Sequence, residues 1–177
     1  MAIQWIGSPN KDKGREGFRP EAIVIHIMEG TLKGTDAWFR NEESGVSAHY
    51  GIGKTGEIHQ YVGESDTAWH AGRMVAPTWQ LLKPDINPNW YTIGIEHEGR
   101  ADTPWPDAMY ETSARLIDEI CRRGQSPVIG IISSAIGRFV PTKPAPASRS
   151  ISTSSSRWSK RSNKIRPRSI SSRNPAL

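Results

Sequence analysis

Every acidic residue of this 177-residue chain lies before residue 120, and that break dictates where a folded domain can sit. Residues 1–119 hold 11 Lys and Arg against 18 Asp and Glu, a balance of −7; residues 120–177 hold 12 Lys and Arg and no acid, a balance of +12, and the sum is the net +5. A chain of this length supports one domain of ordinary size with its own core. The front part has the mixed composition a core needs. Between Ala145 and the terminal Leu177, the sizeable apolar residues are only Ile151, Trp158, Ile165 and Ile170. So little apolar surface cannot offset the entropy of ordering, and disorder is expected there. Residues 1–125 therefore read as the domain and residues 126–177 as a basic, low-complexity, irregular tail.

A single cysteine, Cys121, excludes an internal disulfide and reads as a core thiol. The start, Met1-Ala-Ile-Gln-Trp5, lacks the basic and apolar run of a secretion signal, and no apolar stretch approaches membrane-spanning length. Synthesis in the cytoplasm is expected, with no membrane span. The twelve cations of the tail would attract phosphate nonspecifically, but no nucleic-acid motif accompanies them, so no specific nucleic-acid partner is expected.

Within the front part, Ala22 to Ile27 is β-branched and apolar, as suits a strand buried on both faces. Thr35 to Arg40 reads as a short helix capped by Thr35. Val46 to Ile52, Lys54-Thr55-Gly56 and Glu57 to Val62 read as strand, tight turn and strand. Trp69 to Trp90 reads as a long loop, and Tyr91 to Glu96 as a further strand. From Pro106 to Arg123, Met109, Leu116, Ile117 and Ile120 recur at helical spacing, with Asp107 at the start and Arg122 and Arg123 suiting the end dipole. The expectation is an α/β domain: a central mixed sheet flanked by helices.

His26 ends a buried strand and is followed by a Gly30 turn, a place where imidazole can face a metal at the mouth of a sheet. Taken alone, a core histidine bonded to backbone is the plainer reading. Trp69 and His70 open the long loop, where an aromatic face can lie against a sugar or peptide or simply pack inward. Strand alternation puts Glu96 and Glu98 on one face and His97 on the other. Glu98 reads as an edge salt bridge, and His59 as solvent-facing without a role.

Five segments in order, Ala22-Ile-Val-Ile-His26, Val46-Ser-Ala-His49-Tyr50-Gly-Ile, Gly56-Glu-Ile-His-Gln-Tyr61-Val, Ala68-Trp69-His70-Ala-Gly72 and Ile93-Gly-Ile-Glu96-His-Glu-Gly99, resemble the type 2 zinc N-acetylmuramoyl-L-alanine amidases. That family includes phage lysozyme-like amidases and peptidoglycan recognition proteins. The resemblance covers roughly the first 120 residues. It implies a peptidoglycan hydrolase acting as a monomer on muropeptide, with Zn2+ as cofactor. It also implies His26 as the first zinc ligand, Glu96 as the catalytic carboxylate beside the attacking water, and His49, Tyr50, Trp69 and His70 as substrate-binding residues. A phage lysin that reaches the wall after release is the implied setting. Some members keep the groove but have lost zinc ligands, so a non-catalytic peptidoglycan-binding module is the alternative.

The family's second and third zinc ligands are absent, since Val128 to Ala147 contains no His, Cys or Asp. Codons built from the third base of one residue and the first two of the next can nevertheless make Val128 to Ala147 encode Asp-Arg-Asp-His-Ile-Ile-Gly-His-Arg-Ser-Ile-Arg-Ala-Asp-Lys-Thr-Cys-Pro-Gly. The missing histidine then falls across Ala135 and Ile136, and the missing cysteine across Pro144 and Ala145. A slip of reading frame near Gln125 or Ser126 explains both the lost ligands and the abrupt end of acidic residues.

Overall fold

The computed structural model describes residues 1–72 and 82–124, together with the backbone of 131–133. The tail expected to be irregular therefore lies outside the described residues except at Ile131–Ser133, as do the shifted-frame ligand positions and the middle of the long loop. All described residues belong to one compact unit.

Among the described residues eight strands form, β1 (Ile3–Trp5), β2 (Lys11–Asp12), β3 (Ala22–Ile27), β4 (Tyr50–Ile52), β5 (Ile58–Gln60), β6 (Thr67–Ala68), β7 (Thr92–His97) and β8 (Ile131–Ser133), with helices α1 (Leu32–Arg40) and α2 (Asp107–Gly124). Six strands make one mixed sheet in the order β1-β5-β4-β7-β3-β8, while β2 and β6 pair antiparallel apart from it. The long apolar strands β3 and β7 run parallel over six residues at the centre, from Ala22 beside Thr92 to Ile27 beside His97. Continuous apolar runs belong there, because a strand with neighbours on both edges and cover on both faces has no solvent side.

Strand alternation gives the sheet two unlike faces. On one, Ile23, Ile25, Tyr50, Ile52, Ile93 and Ile95 pack against Met109, Leu116 and Ile120 of α2, whose apolar stripe predicts this docking. Each such side chain removed from water contributes roughly 1.5–3 kcal/mol, so this layer dominates the stability. The other face presents His26 and Glu96. There α1 sends Phe39 edge-on to Tyr61 at 4.9 Å between ring centroids, above Ala48, Val62 and Ala68.

Two expectations from sequence need correction, and three short strands had none. Helix α1 begins at Leu32, capped by Thr31, whose Oγ1 accepts from the Gly34 N–H at 3.1 Å; Thr35 lies buried inside the helix, its own N–H already bonded to the Thr31 carbonyl. Strands β1, β2 and β6, two or three residues each, are too short to leave a periodic signal. Finally, Ile131–Ser133 adds an edge strand parallel to β3, with Ser133 beside Ile25.

A buried cation ties the chain's start to this sheet. Arg15, only 6% exposed, donates from Nε to the Glu64 carbonyl at 2.6 Å and from Nη1 to the Trp90 and Thr92 carbonyls at 3.1 Å each. Burial lowers its pKa to about 10, held up by Glu64 and Asp66. Arg15→Met keeps the stem but leaves these carbonyls without their donor, so unfolding in urea should show a loss of about 3 kcal/mol. A loss below about 1 kcal/mol, the worth of one ordinary hydrogen bond, would show that water replaces the guanidinium freely.

Candidate functional site

His26 and Glu96 are direct neighbours in the parallel register of β3 and β7, so their side chains rise from the same face at the C-terminal end of the central strands. Both are half-buried. Ligand sites of open α/β sheets lie at this end, because the strands stop there and the following loops diverge. Glu96 is held without compensation: its Oε2 is buried and has no hydrogen-bond partner among the described residues. Burial alone pushes its pKa up to about 8, since removing a carboxylate from water penalises the charged form. At pH 7 it is mostly the neutral acid. A cation in the cleft would draw it back toward the carboxylate, which is the form a general base needs.

The loop after β6 places His70 over the sheet, 7% exposed, with its Nδ1 3.1 Å from His26 Nε2. The two rings meet edge to face at 5.2 Å between centroids. Room for this exists because Gly94 has no side chain: a Cβ there would meet His70 Cγ at 2.4 Å and Nδ1 at 2.6 Å. Gly94→Ala should therefore displace His70 and cost about 1–3 kcal/mol in urea unfolding. An unchanged unfolding midpoint would mean that His70 does not rest on Gly94.

Of the four residues that the resemblance implies as substrate-binding, three are buried in this structure. His49 is fully buried behind His70, its Nδ1 accepting from the Gly94 N–H at 3.1 Å and its Nε2 2.7 Å from Arg15 Nη2, so it is walled in rather than lining a groove. Burial and the Arg15 charge lower its pKa to about 3. Tyr50 points to the α2 face, opposite His26, and its hydroxyl donates to Glu64 Oε1 at 2.6 Å. Helix α2 covers the face that Tyr50 occupies, and Arg15, Gly94 and His70 enclose His49, so both rings are shut off from solvent. His70 is likewise packed beneath the rim. Trp69 alone of the four remains half-exposed, its indole N–H donating to Asp12 Oδ2 at 2.9 Å.

Other residues depart from their sequence reading too. His59 is half-buried, with Nδ1 2.8 Å from Asp36 Oδ1, which also accepts from the Tyr61 hydroxyl at 2.8 Å. No spacing rule links Asp36 to residues 59 and 61 before the fold brings α1 over β5. Glu98 accepts from the Lys54 N–H at 2.9 Å and so closes the hairpin turn instead of pairing with a side-chain cation. His97, on the α2 face, stacks on Trp105 at 4.1 Å between centroids, with Nδ1 3.1 Å from the His26 carbonyl and Nε2 2.9 Å from Ser113 Oγ. Burial lowers its pKa to about 4.

The zinc implied by the resemblance can be tested against these donors. No undescribed residue is a His, Cys, Asp or Glu, so every such residue of the chain is placed. Among the described residues, no three of them gather into a group that could hold a metal ion. Catalytic zinc takes three protein ligands as a rule. The chain as written supplies His26 and no complete set, and it does not fit the metal.

A family model described as N-acetylmuramoyl-L-alanine amidase matches residues 16–150, past the point where acidic residues stop. N-acetylmuramoyl-L-alanine amidase A of Achromobacter lyticus is 39% identical over 122 residues; the match covers 67% of this chain but only 61% of that protein. The 1,6-anhydro-N-acetylmuramyl-L-alanine amidase AmpD of Enterobacter cloacae is 28% identical over 163 residues, covering 80% of this chain and 83% of that one. Among solved structures, that of a selenomethionine AmpD derivative superposes with a TM-score of 0.63 at 26% identity, covering 81% of this chain and 88% of its own. The paired His26 and Glu96 at the mouth of the same kind of sheet thus come with a family match over most of the sequence, and the chain belongs to the N-acetylmuramoyl-L-alanine amidase family.

Proposed function

We propose that this fold serves a peptidoglycan hydrolase that cuts the amide between N-acetylmuramic acid and the L-alanine of the stem peptide. The observation that carries the reading is the side-by-side placement of His26 and Glu96 on one face of the central strands. The names of the relatives support it, since both act on muramoyl-L-alanine amides; AmpD adds the soluble 1,6-anhydro muropeptide to the candidate substrates. In the reaction, water adds to the amide carbonyl, the C–N bond breaks, and the muramic carboxyl and the alanine amine separate. Glu96, once ionised, takes a proton from the attacking water and returns it to the leaving amine.

The family's chemistry also needs a Lewis acid, and this chain as written has too few ligands for zinc. The shifted frame would supply both missing ligands, the histidine across Ala135 and Ile136 and the cysteine across Pro144 and Ala145, and Ser133, the last residue of β8, already lies beside Ile25, next to His26. We therefore take the active enzyme to be the product of the shifted frame. It would be a monomer of the phage or prophage lysin kind, made in the cytoplasm and acting on the wall after release. The chain as written is the inactive scaffold.

Digestion of purified muropeptide with added zinc, read by mass spectrometry, tests this. Free stem peptide should appear with the shifted-frame protein and not with the chain as written. Absence of cleavage by both would sink the hydrolase reading. Binding of muropeptide by both without cleavage would replace it with a peptidoglycan-binding module.

A further inference from the structure

We propose that His70 is a positioning residue that dictates which ring nitrogen of His26 carries the proton. The inference follows a chain of hydrogen bonds from one unambiguous end. The Thr92 hydroxyl donates to the Pro88 carbonyl at 2.7 Å, because a carbonyl can only accept. Thr92 Oγ1 has then spent its proton. Its contact with His70 Nε2 at 3.2 Å must run the other way, with the His70 Nε2–H donating to the threonine oxygen. A neutral imidazole carries one N–H, so His70 Nδ1 is an acceptor. His26 Nε2, 3.1 Å from it, is therefore the donor. The proton of His26 sits on Nε2, and Nδ1 carries the ring's lone pair.

The relay is rigid by construction. Thr92 is fully buried in β7, His70 is held over Gly94, and the His70 and Ala71 N–H groups both donate to Asn89 Oδ1, at 3.1 and 2.8 Å. On the opposite face His97 Nδ1 meets the His26 carbonyl at 3.1 Å, so the backbone of His26 is held as well as its ring. A histidine that must offer one defined nitrogen needs such a partner on the other, because the bond made by one nitrogen determines the tautomer of the ring. The same geometry accounts for the burial of His70, whose ring is enclosed between His26, Thr92 and Gly94.

The value of this device to amide hydrolysis rests on the amidase reading, but the tautomer itself does not. A measurement on the intact chain separates the two. In protein labelled with 15N at histidine, near pH 7, long-range proton–nitrogen spectra should show the proton on Nε2 of both His26 and His70. A nitrogen–nitrogen coupling across the hydrogen bond should join His26 Nε2 to His70 Nδ1. His70→Gln offers an oxygen to His26 and an N–H to Thr92, and should keep the His26 Nε2–H protected from solvent exchange. In His70→Ala that proton should exchange too fast to be seen. A proton on Nδ1 of either ring, or a His26 Nε2–H equally protected in His70→Ala, would overturn the proposal, whatever muropeptide assays show.

Discussion

Acidification from pH 7 to pH 4 should unfold this protein cooperatively and with uptake of several protons. Four imidazoles, His26, His49, His70 and His97, are held below their ordinary pKa chiefly by burial; His26 and His97 fall from 6.5 to about 4 and His49 to about 3, while His70 lies well below. The sign follows from linkage. Below pH 6.5 the unfolded chain binds protons that the folded one refuses, so stability is full above that value and declines as the pH falls toward the folded pKa values. A tenfold weakening of proton affinity on folding is worth about 1.4 kcal/mol, so His49 and His97 alone cost several kcal/mol at pH 4, against a total stability of about 5–15 kcal/mol. Glu96 acts in the opposite sense. Its raised pKa makes the folded state hold a proton that the unfolded state loses, so stability falls as the pH rises from 4.5 to about 8. The two trends together place maximum stability near neutral pH. Far-ultraviolet circular dichroism against pH would check this, and a native signal persisting at pH 3.5 would show that the imidazoles protonate without unfolding.

Zinc should leave the melting temperature of the chain as written unchanged, and so should a chelator, because no three donors converge on an ion. The shifted-frame protein should behave otherwise. At zinc a thousandfold above its Kd, a folded-state site adds about 4 kcal/mol, which chelator should remove. Calorimetric melts of both proteins with and without metal make the comparison. A chelator-sensitive melt of the chain as written would mean that His26 finds partners the described side chains do not provide. An unresponsive shifted-frame protein would show instead that the alternative reading of Val128 to Ala147 restores no site.

Strands β3 and β7 and helix α2 were legible in the sequence because each is long enough to express its period: the β-branched apolar run from Ala22 to Ile25 for β3, Ile93 and Ile95 in alternation for β7, and Met109, Leu116 and Ile120 at helical spacing for the helix. The roles of His26 and Glu96 were legible through the family resemblance, while their adjacency on one face came from the register of β3 and β7. The surroundings of those two residues were not legible. His49, Tyr50 and His70 belong to motifs whose residue types suggest contact with a ligand, yet whether a polar ring meets solvent or another ring depends on which strand stands next to it. That neighbour is distant in the chain. Arg15 comes from an N-terminal loop to meet His49, and His70 reaches Gly94 from a loop that precedes its strand by some twenty residues.

By itself the sequence determined the alternation of strands and helix, the family, the candidacy of His26 and Glu96 and the loss of metal-binding residues after Cys121. Only the tertiary structure decided that His26, His49, His70 and His97 lie buried or half-buried and that His70 meets His26 nitrogen to nitrogen. The reason is that periodicity reports a residue's own direction from the backbone, whereas hydrogen-bond donors and acceptors are matched between segments that only folding brings within about 3 Å of one another.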